Sequence, residues 1–170
     1  MEYTKLAKTQ TRRGMGEIAV MGVGNLLLGD EGVGIHLVRK LADLIHYENV
    51  KIIDAGTCSD FMSLLDKTPD KLIVVDAVKT DEKPGTVYRF DINDVDLQAQ
   101  PIFSSHDTSV SDSLRTMALL GTKPKSVVII GVEPGVIDSS LDLSPEVETA
   151  LPAVIDLVIE EIRKSTEAEK

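Results

Sequence analysis

The chain has 170 residues, of which 42% are hydrophobic, and this length and composition suit one compact domain with its own core. The formal net charge is −10, from 28 acidic and 18 basic residues, and no basic stripe interrupts the excess, which argues against nucleic acid as a partner. The single cysteine, Cys58, excludes an intrachain disulfide and an all-cysteine metal site, and it favours a reducing compartment.

We expect three parts along the chain. Residues 1–14 are polar and basic and predict a flexible N-terminal arm. Residues 15–166 predict a single domain, and residues 167–170 a polar tail. The strongly apolar run Ile18–Leu28 is too short to span a bilayer, so no membrane contact is expected.

Five short runs predict strands, and most of them are rich in Val and Ile. They are Glu17–Val23, Val50–Asp54, Lys71–Asp76, Thr86–Asp91 and Ser126–Val132. The fourth run alternates polar and apolar residues, which is typical of an edge strand with one solvated face. The last run is almost entirely apolar, as in a strand that is covered on both faces.

Apolar residues at helical spacing predict four helices between and after these strands. They are Gly34–His46, the shorter Cys58–Asp66, Thr108–Leu120 and a last helix that opens with Ser144-Pro145-Glu146. We expect Asp30 to cap the first helix and Pro152 to kink the last one, within its buried stripe. The alternation of strands and helices predicts a three-layer α/β sandwich with a mainly parallel sheet.

Acidic residues follow four of the predicted strands. Asp30 and Glu31 come shortly after the first, Asp54 and Asp76 end the second and third, and Glu133 follows the last. The carboxyl ends of parallel strands meet at one edge of a sheet, so we expect these side chains to converge there. Any one of them is equally well explained as a helix cap. Together, carboxylates crowded on one edge repel each other, which is typical of a cation site or a catalytic site.

Three histidines offer further ligand chemistry. His36 and His46 lie in the first predicted helix, where we expect surface or helix-end residues. His106 lies in the long irregular connection after the fourth strand. Alone it is an ordinary loop residue, but beside two carboxylates it would complete an imidazole-and-oxygen site suited to nickel, zinc or a similar ion.

Other catalytic motifs are incomplete. Gly22-Val23-Gly24 lacks the third glycine of a dinucleotide-binding fingerprint, because position 27 is Leu, and a sharp turn is the better interpretation. The chain contains neither a phosphate-binding Gly-Lys-Ser/Thr loop nor a His-Glu-x-x-His zinc motif. Cys58 has no histidine nearby in the sequence, which favours a buried structural thiol over a nucleophile.

Seven motifs in a fixed order are specific when they are taken together. They are Gly22-Val-Gly-Asn-Leu-Leu-Leu-Gly-Asp-Glu-Gly-Val-Gly34, Asp54-Ala-Gly-Thr57, Leu72-Ile-Val-Val-Asp-Ala77, Pro84-Gly-Thr86, Ser105-His106, Ile130-Gly-Val-Glu-Pro134 and Leu143-Ser-Pro-Glu-Val147. In these motifs, which cover nearly the whole domain, the chain resembles the hydrogenase maturation protease family.

The resemblance implies a fold and an activity. The fold is a three-layer αβα sandwich of the phosphorylase/hydrolase type, with a five-stranded, mostly parallel, twisted sheet and one antiparallel edge strand, Thr86–Asp91. The activity is that of a hydrolase, an endopeptidase that removes the C-terminal propeptide of a nickel-iron hydrogenase large-subunit precursor after nickel insertion.

The resemblance also implies a site. The residues that correspond to the family's metal-contacting trio are Glu31, Asp76 and His106, with Asn25 and Asp54 as additional cleft residues. The nickel is then carried by the substrate rather than held permanently, and the protein acts as a cytoplasmic monomer. The group that attacks the peptide bond is left open, although a water polarised by the metal is physically reasonable.

Two other functions are compatible with the same sequence features. One is a general zinc metallopeptidase that holds its own zinc and acts on varied peptides. The other is a non-enzymatic, nickel-sensing chaperone that binds the precursor and leaves its tail attached.

Overall fold

The computed structural model describes residues 16–58, 60–92 and 110–167, with residues 166 and 167 described by their backbone alone. Its strands are β1 (Ile18–Val23), β2 (Val50–Gly56), β3 (Lys71–Ala77), β4 (Val87–Asp91) and β5 (Ser126–Val132). All five predicted strands are confirmed, with ends that shift by at most two residues. They form one sheet in the order β2-β1-β3-β5-β4.

The sheet is parallel except at one edge. β1 pairs in parallel with both β2 and β3, and β3 pairs in parallel with β5. β4 lies at the edge and runs antiparallel to β5, which confirms both its predicted position and its predicted direction. Its residues are mostly half-buried, as the alternating pattern indicates, whereas β1 and β3 are buried throughout.

Within the described residues, three α-helices cover the sheet in two layers. α1 (Val33–Leu44) and α3 (Pro145–Glu167) pack in one apolar cluster, and α2 (Val110–Leu119) packs with Phe61 in the cluster on the other face. The three-layer sandwich is therefore confirmed. None of the helices in the described ranges is long and apolar enough to cross a membrane.

The predicted helix Cys58–Asp66 is wrong. Only a 3-10 turn, Phe61–Leu64, forms there, and the backbone is already extended at Leu65. The Asp60 carboxylate accepts hydrogen bonds from the amides of Met62 and Ser63 and so caps this turn. Phe61 is the only one of the turn's residues that is buried, so the segment has a single apolar anchor instead of the stripe that holds a helix on a core.

The last helix follows its predicted stripe with one exception. Leu151, Val154 and Val158 are buried as expected. Pro152 lies inside the helix but on its exposed side, and α3 continues past it to Glu167. The ring therefore faces solvent instead of the core, and the kink that we expect at Pro152 stays a prediction.

A buried ion cluster ties α3 to the sheet at the amino end of β3. The Glu161 side chain is only 1% exposed and accepts hydrogen bonds from Lys71 Nζ at 2.8 Å and Arg89 Nε at 2.9 Å. Burial raises the pKa of the Glu161 carboxyl, but hydrogen bonds from Arg89, Lys71 and Lys164 outweigh it and lower that pKa to about 2. Glu161 is therefore ionised and paired throughout the physiological range.

Candidate functional site

The topology predicts a crevice at the carboxyl edge between β1 and β3. The chain leaves β1 towards α1 on one face of the sheet, whereas α2, the helix that follows β3 and β4, covers the other face. Neighbouring strands whose connections leave to opposite faces form the usual ligand-binding crevice of an α/β sheet. Glu31 follows β1 and Asp76 lies near the end of β3, so both acids belong to this crevice.

A tight turn after β1 presents Glu31. The residue lies in the buried 3-10 turn Gly29–Gly32 and is 3% exposed. Gly24 has a φ of +134°, and a Cβ at this position would overlap the Glu31 carbonyl oxygen. The glycine thus lets the end of the strand lie directly against the backbone of Glu31. This close approach supports the interpretation of Gly22-Val23-Gly24 as a sharp turn.

Asp76 is buried without a full set of hydrogen bonds. Its Oδ1 accepts from the Ala77 amide at 2.8 Å, while its buried Oδ2 has no hydrogen-bond partner in the described part of the chain. Burial is the largest effect on the Asp76 carboxyl, and together with the negative charge of Glu31 it raises the pKa to about 7, against the lowering effect of the Ala77 hydrogen bond. Glu31 and Asp76 are therefore electrostatically coupled, as expected for two acids that share one site.

Asp30, the neighbour of Glu31, has a different role from the one predicted. It does not cap α1, whose N-cap is Gly32 with no side-chain hydrogen bond. Its fully buried carboxylate instead accepts four hydrogen bonds, from the amides of Gly135, Val136 and Ser144 and from the Ser144 hydroxyl, at 2.6–2.8 Å. Asp30 thus holds the loop after β5 and the start of α3 against the turn.

The two additional cleft residues make local contacts. The exposed Asp54 carboxylate forms an ion pair with Arg39 of α1 at 3.0 Å. Asn25 is half-buried, and its Oδ1 accepts from the Leu27 amide at 3.0 Å, which closes the loop after β1. Asp54 lies at the predicted edge, but its charge is directed to Arg39.

Glu133 also lies at the carboxyl edge, where it serves a separate network. It is 2% exposed, and its Oε2 accepts from the Thr80 amide at 2.8 Å and from the Thr80 hydroxyl at 2.7 Å. The Tyr88 hydroxyl is 2.6 Å from that of Thr80. Sequence reasoning missed Thr80 and Tyr88, because nothing in their local pattern marks them as partners of the residue that follows β5.

The other candidate ligands differ in their surroundings. His46 is exposed as expected, but His36 is half-buried, and its buried Nε2 has no hydrogen-bond partner within the described ranges. Cys58 is half-exposed rather than buried, because it lies in the turn after β2, where its Sγ contacts the Asp60 carbonyl at 3.5 Å. Among residues 16–58, 60–92 and 110–167, no three His, Cys, Asp or Glu side chains form a group that could hold a metal ion. His106 lies outside these ranges.

Comparison with known proteins agrees with the motifs. The family model for the hydrogenase maturation protease matches residues 35–161, well over half of the chain. The chain belongs to this family. The hydrogenase 2 maturation protease of Escherichia coli strain K12 is 32% identical to it over 152 residues, which cover 87% of this chain and 92% of that protein.

Solved structures in the family share the fold. The hydrogenase maturating endopeptidase HybD from E. coli matches with a TM-score of 0.76 and 28% identity, over 88% of this chain and 93% of that one. The hydrogenase 2 maturation peptidase from a Thaumarchaeota archaeon matches with a TM-score of 0.67 and 30% identity, over 86% and 97% of the two chains. This hydrogenase maturation protease is accordingly a hydrolase, an endopeptidase that acts in hydrogenase maturation.

Proposed function

We propose that this protease removes the C-terminal propeptide of a nickel-iron hydrogenase large-subunit precursor after nickel insertion, and that Glu31, Asp76 and His106 contact the nickel. The observation that carries the proposal is the buried, electrostatically coupled pair of Glu31 and Asp76 in the crevice between β1 and β3. In this proposal the metal arrives with the substrate, so the loaded precursor completes the site and an empty precursor does not.

A divalent cation suits this pair chemically. The buried Oδ2 of Asp76 has no hydrogen-bond partner among the described residues, and a buried acceptor of this kind is costly until a donor or a cation reaches it. The raised pKa of Asp76, about 7, means that a nearby positive charge would favour the ionised form at neutral pH. Carboxylate oxygens combined with an imidazole suit a borderline ion such as nickel. Bound there, nickel would supply a Lewis acid beside the peptide bond.

The position of α2 supports the inclusion of His106. Asp76 follows Leu72 and Val74 at intervals of two residues along β3, so its side chain lies on the same face of the sheet as theirs, the face that α2 covers. Six residues separate the end of α2 from the start of β5, which lies at the amino edge of the sheet. The end of α2 is therefore near the amino edge. Because its 10 residues span ~15 Å, its first turn lies towards the carboxyl edge. The four residues from His106 to the start of α2 can reach ~14 Å when extended.

Cleavage of a defined precursor tests this function. Nickel-loaded and nickel-free precursor are incubated with the wild type, Glu31→Gln and Asp54→Asn, and the tail is followed by gel mobility and mass spectrometry. We expect the wild type and Asp54→Asn to shorten only the loaded precursor, and Glu31→Gln to leave it intact, because the variant loses a charge at constant size. Equal cleavage of both precursors, or a normal rate for Glu31→Gln, would contradict nickel recognition.

The same material separates the two alternatives. A zinc metallopeptidase would retain one equivalent of zinc after dialysis against a chelator and would cleave unrelated peptides. A chaperone would bind the loaded precursor and leave its tail attached. The cytoplasmic location and the monomeric state stay predictions, which cell fractionation and sedimentation equilibrium can check.

A further inference from the structure

Four exposed apolar side chains lie on two loops beside the turn Gly29–Gly32, which carries Glu31. The first loop, residues 24–28, leads from β1 to this turn, and the second loop, residues 133–144, leads from β5 to α3. They form a surface that we call the apolar patch: Leu27 (64% exposed), Val136 (51%), Ile137 (42%) and Leu141 (60%). The described chain has only two other large apolar side chains with comparable exposure, Leu119 and Leu120 at the end of α2. Apolar residues gathered in this way on a surface are typical of an interaction site.

Backbone pairing joins the two loops into one rigid surface. Leu28 and Ser140 form an isolated parallel bridge, in which the Gly29 amide donates to the Ser140 carbonyl at 2.9 Å and the Ser140 amide to the Leu27 carbonyl at 3.1 Å. Gly29 has a φ of +60°, and a Cβ there would lie 2.9 Å from the Val136 carbonyl oxygen. Only glycine therefore allows the second loop to wrap so closely around the turn.

The turn Gly29–Gly32, which carries Glu31, is hydrogen-bonded to the second loop. The Asp30 amide donates to the Val136 carbonyl at 3.0 Å, and the Asp30 carboxylate accepts from Val136 and Ser144 on either side of the second loop. Glu31 is the next residue along the chain. The apolar patch is thus held at a fixed position beside Glu31, and a polypeptide that brings its metal to the acid pair would reach the patch as well.

We propose that the apolar patch is a docking surface for the hydrogenase precursor. Its occupant is a segment of that protein with apolar side chains and neighbouring Lys or Arg residues, close to the residues that carry the metal. The inference rests on the function proposed above and adds a second contact, outside the metal site, that determines affinity for the substrate.

The charge around the patch selects this occupant. Asp138 and Asp142 are exposed on the second loop, and neither forms an ion pair within the described part of the chain. A partner with basic side chains would neutralise them. A second copy of this chain, with its net charge of −10, would place these acids against each other in a two-fold interface. The acidic border therefore favours a basic protein segment over self-association.

Binding and cleavage measured separately test the docking surface. The double variant Leu27→Gln/Leu141→Gln removes two exposed side chains without opening the core, and Leu119→Gln (87% exposed, at the end of α2) is the matched control. With nickel-loaded precursor we expect the double variant to raise Kd and KM about tenfold with little change in kcat, and the control to match the wild type. Asp138→Asn/Asp142→Asn should slow association and flatten its dependence on salt.

The possible results test the docking surface separately from the proposed proteolytic function. Equal Kd values for the wild type and a folded Leu27→Gln/Leu141→Gln variant would overturn docking at the patch, even if nickel-dependent cleavage is intact. A wild type that binds through the patch but never cleaves would remove the proposed function and keep the docking surface. A wild type that does not bind the precursor, or a dimer that the double variant dissociates, would also overturn the inference.

Discussion

Replacing Asp76 by Asn should make the metal-free protein more stable and unable to process its substrate. An amide keeps the oxygen that accepts from the Ala77 amide at 2.8 Å. It also removes an ionisable group that is buried beside Glu31. A stabilising substitution that abolishes activity is expected where a fold retains an unfavourable group for its function.

The magnitude follows from the pKa of Asp76. Burial, then the charge of Glu31, raises it from 3.8 to about 7 in the fold. Because the folded-state pKa lies above the unfolded value, the native protein binds more protons between these two pH values, and the wild type loses stability as pH rises through this window. At about 1.4 kcal/mol per tenfold change in proton affinity, the penalty is roughly zero at pH 3, about 2 kcal/mol at pH 5 and about 4 kcal/mol above pH 7.

Urea unfolding in the presence of a chelator measures this difference directly. The free energy of unfolding of Asp76→Asn should exceed that of the wild type by an amount that grows from pH 5 to pH 8. Asp54→Asn is the matched control, because it removes an exposed strand-end acid whose ion pair with Arg39 contributes about 0.5 kcal/mol. A variant no more stable than the wild type at pH 8, or a gain that is independent of pH, would refute the reasoning.

Four further predictions concern other parts of the molecule. Glu161→Gln should lower the free energy of unfolding by about 3–5 kcal/mol at pH 7, because it leaves a buried lysine unpaired, and urea titrations should find this difference shrinking as pH falls from 4.5 towards 2, where the lowered pKa of Glu161 lies. Asp30→Asn should lower the free energy of unfolding by about 2–4 kcal/mol in the same assay, because the NH2 group of Asn would face buried amide donors that in the wild type donate to the carboxylate. An unchanged urea midpoint would contradict this role of Asp30. His106→Ala should stay folded by circular dichroism and fail to process nickel-loaded precursor, whereas Cys58→Ala should process it normally; the reverse result would point to a thiol nucleophile. Elemental analysis after dialysis against a chelator should find far less than one equivalent of metal, because the site leaves positions for the groups of the substrate.

The strands could be predicted because their physical signal is local. Buried parallel strands need apolar residues on both faces, and Lys71–Asp76 and Ser126–Val132 carry such runs in the sequence. The failed helix Cys58–Asp66 shows the limit of local spacing. Apolar residues at helical intervals do not reveal that only Phe61 of the turn is buried or that the Asp60 side chain caps a turn that ends four residues later.

Topology alone predicts only the edge of the sheet at which the proposed site lies. The rule that ligands bind at the carboxyl edge brings Glu31 and Asp76 to one crevice. The same rule includes Asp54, whose carboxylate is directed instead to Arg39, a residue on a helix 15 positions away in the sequence. Side-chain pairing of this kind depends on the packed structure, and no local pattern of residue types reports it.

The adjacent acids Asp30 and Glu31 cannot be distinguished by their position after β1, although the family resemblance implies Glu31, and the structure gives a physical reason to prefer that residue. Either carboxylate follows β1, but that of Asp30 is saturated by four donors that lie more than 100 residues away along the chain. A carboxylate in that state would have to give up these hydrogen bonds before it could bind a metal. The charge of Glu31 raises the pKa of Asp76, which supports our proposal that Glu31, and not Asp30, contacts the metal. The two acids should therefore separate in experiment: Asp30→Asn should lower stability and displace the apolar patch, whereas Glu31→Gln should leave the fold at least as stable and remove nickel-dependent processing.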